Sequence, residues 1–152
     1  MAHTLHTEIT INASAEIVWN ELINHTHYPE WNPFLKVTQG DFLPNKRITV
    51  EIKPANSKAM IFYPIITEFK KNERLEWLGN FIIKGIFDGR HQFEIEPISE
   101  SQVRFIHQEH FTGLLVPFMK GSLMKNTLEG FEMMNHALKI RSEKVSNFES
   151  KQ

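Results

Sequence analysis

Cysteine is absent from this chain, which excludes a disulfide framework, a thiolate metal site and a cysteine nucleophile. No apolar run reaches the roughly 18 residues of a membrane-spanning helix. The start MAHTLHTEIT has neither the basic flank nor the apolar centre of a secretory signal. The expectation is a cytoplasmic protein without stable membrane insertion. An excess of one charge is also missing: 17 Lys and Arg stand against 18 Asp and Glu, scattered along the chain. Nothing in that balance makes a footprint for nucleic acid or an anionic surface, so nucleic acid is set aside as a partner. Nor is there a Gly-rich phosphate loop, a G-x-S-x-G elbow or an H-E-x-x-H motif, and no cofactor is expected.

What is present suits one domain: 152 residues, 41% hydrophobic and 23% charged, enough to build a single core. Leu5 to Asn12 alternates Leu5, Thr7, Ile9 and Ile11 against polar neighbours, the pattern of a half-buried strand. Asn12 or Ser14 can cap a short amphipathic helix over Ala15 to Asn24. Pro29 and Pro33 then limit a second helix to about one turn, and Tyr28, Trp31 and Phe34 read as packing residues. Leu35 to Gln39, Arg47 to Lys53 and Lys58 to Phe69 read as strands. Pro64 forces an edge or a bulge in the third and leaves its inward parity open. Leu75, Trp77, Gly79, Phe81 and Ile83 share one parity of the next strand, and Lys84-Gly85 breaks it.

The chain is organised around the hairpin that follows. Successive strand side chains face opposite sides of a sheet. One parity reads Phe87, Gly89, His91, Phe93, Ile95 and the other Asp88, Arg90, Gln92, Glu94, Glu96, and the charged set is expected to face water. Val103, Phe105, His107, Glu109 and Phe111 form the matching apolar parity of the return strand. A turn centred on Ser99 would set His91 opposite His107, Phe93 opposite Phe105 and Gly89 opposite Glu109, with paired Cβ atoms roughly 4.5 to 5.5 Å apart. After Gly113, a long helix is expected from about Pro117 to Lys144, with Phe118, Met119, Leu123, Met124, Leu128, Phe131, Met134, Asn135 and Leu138 on one stripe. Gly121 and Gly130 inside it each cost about 1 kcal/mol relative to Ala, a cost that points to close backbone approach, a bend or room for a ligand, unless the glycines are incidental. Residues 145–152 read as a polar tail beyond a domain of residues 1–144. Leu114 to Phe118 reads as a buried strand-to-helix junction in preference to a mobile apolar lip.

This order of elements is an α+β arrangement that resembles the helix-grip fold of the START-related, Bet v 1-like superfamily. The stretches IVWNEL at 17–22, YPEWNPF at 28–34, LEWLG at 75–79, GRHQF at 89–93, QEHFTGLLVP at 108–117 and GFEMMNHALK at 130–139 are similar to bacterial SRPBCC proteins grouped with polyketide cyclases. The family's usual glycine before the third strand is replaced here by Asn45, which tolerates a left-handed backbone. The resemblance implies a curved antiparallel sheet of about seven strands, two short helices and one long C-terminal helix enclosing a cavity for a small hydrophobic ligand. It implies a lining that includes Trp77, Phe81, His91, Phe93, Phe105, His107, Glu109, Met124, Leu128 and Phe131.

Glu109 stands out because an ionised carboxylate on an apolar face needs a partner. Three readings of His91, His107 and Glu109 stay open. The groups satisfy one another structurally; or a histidine acts as general base with Glu109 orienting it, as in aldol cyclisation or dehydration of a polyketone; or the three form a two-histidine, one-carboxylate metal site, which residue type alone supports, so no metal is expected. The leading expectation is binding of a lipid, polyketide or aromatic molecule by a monomer or homodimer. Cyclase or dehydratase chemistry is the alternative. A protein-interaction role is the third, weakened by the charged outer face of the hairpin.

Overall fold

The computed structural model describes residues 2–80, 83–119 and 121–152. Strand β1 (Ala2–Ile11) leads into helix α1 (Ala15–Ile23), where the Ser14 side chain accepts a hydrogen bond from the Ile17 amide at 3.3 Å. That cap satisfies one of the orphan amides of the first turn, and Val18, Trp19 and Leu22 face the core. Helix α2 (Tyr28–Trp31) is a single turn with Pro29 at its start. The Asn32 side chain ends it by accepting from the amides of Phe34 and Leu35 at 3.0 and 2.9 Å.

The strands then form two antiparallel sheets. Strands β2 (Leu35–Gln39), β3 (Thr49–Ile52) and β4 (Met60–Phe62) make the smaller one. Strands β5 (Ile65–Lys70), β6 (Arg74–Asn80), β7 (Asp88–Ser99) and β8 (Gln102–Thr112) join β1 in the order β1-β8-β7-β6-β5. The total is eight strands, one more than expected, because Pro64 divides the segment read as a single strand into β4 and β5. Proline has no amide for the ladder, so the chain leaves one sheet and joins the other at that point. The Pro64 carbonyl accepts from the Ile48 amide at 2.9 Å, and the Lys46 carbonyl accepts from the Ile66 amide at 2.9 Å, tying the two sheets at their junction. Ile66 is the inward residue of β5, which settles the parity that the sequence left open. Asn45 adopts φ 63° in the turn before β3, the left-handed backbone for which the family commonly uses glycine.

The β7–β8 register differs from the expected one by two residues: His91 lies opposite Glu109, Phe93 opposite His107, Ile95 opposite Phe105 and Gly89 opposite Phe111. The hairpin turns at Glu100 and Ser101, with a register shift between Pro97 and Ser99. A two-residue shift keeps every side chain on its expected face. One charged residue departs from that pattern, since Asp88 is buried and accepts from the Asn80 side chain at 2.7 Å and the Gly85 amide at 2.9 Å.

Helix α3 (Gly121–Glu149) lies across the inner face. It begins four residues after Pro117, which sits in a 3-10 turn (Val116–Phe118), and it continues five residues past Lys144, through most of the segment expected to be a tail. Phe131, Met134 and Leu138 are fully buried and belong to one core with Phe93, Phe105, Leu75 and Val103. Gly130 is where the helix meets the Phe34 ring: a Cβ there would come within 2.8 Å of Cε2. Gly121, at the start of α3, has nothing within 4 Å of that position, so no neighbour opposes a side chain there. The domain pairs a curved antiparallel sheet with one long C-terminal helix, the helix-grip arrangement.

Candidate ligand site

The inner parity of β7 and β8 places His91, His107 and Glu109 together, beneath α3. His91 Nε2 lies 2.8 Å from His107 Nε2, and His91 Nδ1 lies 3.3 Å from Glu109 Oε2. His107 Nδ1 lies 2.9 Å from Asn135 Oδ1. Asn135 Nδ2 donates to Thr7 Oγ1 at 2.8 Å, and that hydroxyl donates to the His107 carbonyl at 3.0 Å. Both histidine side chains are fully buried, with ring faces covered: His107 stacks on Phe131 at 3.9 Å and His91 on Trp77 at 4.9 Å between centroids.

This chain of contacts has a direction. The Thr7 hydroxyl gives its proton to a carbonyl, so its oxygen receives the Asn135 amide N–H. Asn135 Oδ1 therefore faces His107 Nδ1 as an acceptor, and that nitrogen carries the ring proton. Burial, and then the neighbouring His91, push the His107 pKa well below its ordinary value, while hydrogen bonding to the Asn135 side chain and the Phe131 backbone acts in the opposite sense. A neutral His107 leaves Nε2 as an acceptor, so His91 Nε2 must donate to it. His91 Nδ1 then faces Glu109 Oε2 across 3.3 Å.

Beside this network lies a cavity of about 340 Å³. Its walls come from β3 and β4 (Ile52, Met60, Phe62), the inner face of β6 to β8 (Trp77, Gly89, Glu109, Phe111), the turn before α3 (Leu115, Phe118, Met119) and the first part of α3 (Leu123, Thr127). Trp77 and Glu109 thus reach the cavity. His91, Phe93, Phe105, His107 and Phe131 lie behind its wall in the core, and Met124 and Leu128 pack against that core half-buried. Phe81 lies outside the described residues. Sequence reasoning missed the contribution of the small sheet, since Pro64 hid where β4 pointed. Phe87 and Phe111 were legible on the inward parity but were not carried into the lining. The junction expected to be buried is split: Val116 is buried, whereas Leu114 and Phe118 are 77% and 79% exposed, and Phe118 borders the cavity. Among the described residues no cluster of three or more His, Asp or Glu side chains is arranged to hold a metal ion, and no helix is long and apolar enough to cross a membrane.

The family profile described as polyketide cyclase / dehydrase and lipid transport matches residues 2–143. The chain belongs to that family. As a polyketide cyclase-like SRPBCC protein it shares its fold with solved structures of low sequence identity. A START superfamily protein from Mycobacterium smegmatis is 17% identical with a TM-score of 0.70, covering 94% of this chain and 99% of its own. Ara h 8.0201 is 10% identical with a TM-score of 0.70, covering 95% of this chain and 99% of its own. The di-domain ARO/CYC StfQ from the steffimycin biosynthetic pathway is 11% identical with a TM-score of 0.70, covering 97% of this chain and 52% of its own. No curated protein matches the sequence at a significant level. At these identities the likeness speaks for the fold alone.

Proposed function

We infer that this polyketide cyclase-like protein binds a small, largely apolar molecule in the cavity between the two sheets and the start of α3. The observation that carries the reading is an apolar-walled space of about 340 Å³ with one carboxylate, Glu109, on its wall. A concave apolar cavity with few placed polar groups is the usual form of a small-molecule site. The exposed apolar side chains of Leu114 and Phe118 beside it suit the passage of such a molecule. Native mass spectrometry of the purified protein, followed by denaturation, tests this directly. A stoichiometric lipid, polyketide or aromatic compound is expected. An empty protein whose melting temperature no hydrophobic library raises would count against the reading.

A second reading, acid–base catalysis, is favoured by the contact of Glu109 Oε2 with Nδ1 of the buried His91 at 3.3 Å. The roles in this reading are the reverse of those expected from sequence. Glu109 is the group that borders the cavity, and His91 stands behind it, fully buried. In this reading Glu109 would take a proton from a carbon next to a carbonyl, and His91 would stabilise the resulting protonation state. Loss of turnover in Glu109→Gln with an unchanged melting temperature supports it; retained turnover on an identified ligand rejects it.

A further inference from the structure

Cavities in apolar sheet-and-helix folds accept many hydrophobic bodies, so selectivity falls to the few polar atoms on the wall. Here those atoms have one character. Among the described residues Glu109 is the single ionisable side chain of the lining, with no lysine, arginine or histidine beside it. Its Oε2 is taken by His91. Its Oε1 has no hydrogen-bond partner among the described residues and lies over Gly89, itself a lining residue, where an added Cβ would stand 2.7 Å away. A carboxylate oxygen only accepts hydrogen bonds, so Oε1 offers lone pairs to a ligand. Thr127, the other hydroxyl or carboxyl side chain of the wall, gives its proton to the Leu123 carbonyl at 2.8 Å and so presents only lone pairs. Among the described lining residues the indole N–H of Trp77 is the one side-chain donor, and it brings no charge.

We propose that the cavity selects hydrophobic molecules bearing a hydrogen-bond-donating head, a hydroxyl or an ammonium group, and discriminates against carboxylic acids. The proposal rests on the binding reading above and narrows its ligand class. A hydroxyl or ammonium donates to Glu109 Oε1, and the hydrocarbon body lies against the apolar wall. A carboxylate would bring a second anion or acceptor to Oε1 with no cation among the described lining residues to compensate, and a buried anion without a partner is strongly disfavoured. Gly89 belongs to the same device, because the absence of its side chain leaves room for the carboxylate.

The test uses one ring body with four heads: naphthalene, 2-naphthol, 2-naphthylmethylamine and 2-naphthoate, titrated into the full chain at neutral pH by calorimetry. 2-Naphthol and the amine are expected to bind at least about tenfold more tightly than 2-naphthoate, the scale of one charge-assisted hydrogen bond. In Glu109→Gln that gap is expected to narrow to about threefold or less. Gly89→Ala is a second variant that leaves Glu109 in the chain. Its new Cβ meets only the flexible end of a side chain, so the fold is expected to persist while Oε1 is displaced, and the same gap narrows. Equal affinity of the wild type for 2-naphthol and 2-naphthoate, or a gap unchanged in both variants, overturns the proposal while naphthalene binding still supports the cavity. If none of the four binds, naphthalene included, the binding reading fails and the proposal with it.

Discussion

His107 owes its protonation to its surroundings rather than to its own chemistry. Burial and the neighbouring His91 lower its pKa well below 6.5. A group whose folded pKa is depressed binds fewer protons in the fold than in the unfolded chain when the pH lies between the two values. Its neutral form is therefore fully compatible with the fold above about pH 6.5, and stability falls as pH drops below that, by up to about 1.4 kcal/mol per unit. Denaturant melts at about pH 7.5 and about pH 5.5 are expected to show a loss in the wild type that shrinks by about 1 kcal/mol in His107→Phe. Identical losses in both proteins would assign the titration to another group. Asn135 is tested separately. Asn135→Leu removes the acceptor of His107 Nδ1–H and the donor to Thr7, which is expected to lower the unfolding free energy by about 1–3 kcal/mol. The grouping of His91, His107 and Glu109 was legible from parity, since each stands on an apolar face. Asn135 was recognised only as part of the helix stripe. Its role depends on a contact across 28 positions of chain, which no local pattern encodes.

At the scale of elements, the two glycines of α3 make opposite predictions. Alanine favours a helix interior over glycine by about 1 kcal/mol. At Gly130 that gain meets the Phe34 ring, and overpacking of this kind costs about 1–3 kcal/mol. Gly130→Ala is therefore expected to lower the denaturation midpoint, and a raised midpoint would show that Phe34 can move aside. At Gly121 there is open space, so Gly121→Ala is expected to be neutral or stabilising by up to about 1 kcal/mol in the same assay. The hairpin illustrates the other limit of sequence reading. Alternation fixes which face each residue occupies, but faces repeat every two residues, so parity cannot distinguish registers that differ by two. The tight turn at Glu100 and Ser101 and the shift between Pro97 and Ser99 made that choice, and it placed Glu109 beside His91.

For the whole molecule, the question is how far side chains fill the space between sheet and helix. Under the middle of α3 they do: Phe93, Phe105, His107 and Phe131 are all fully buried. Toward its start the small sheet and the Val116–Phe118 turn hold the walls apart, and the cavity remains. Leu123→Trp is expected to occupy that space, keeping or raising the melting temperature while weakening naphthalene binding by about tenfold or more. Unaltered binding would place the ligand elsewhere. Periodicity and proline placement in the sequence determined the order of strands and helices, the inward face of the hairpin and the single-turn length of α2, because these are local consequences of backbone geometry. Tertiary structure alone decided the register of β7 on β8, the division of the strands into two sheets, and which inward residues border the cavity. Those outcomes depend on how distant segments pack. The same alternating pattern serves a residue that fills the core, such as His107, and one that borders an open space, such as Glu109.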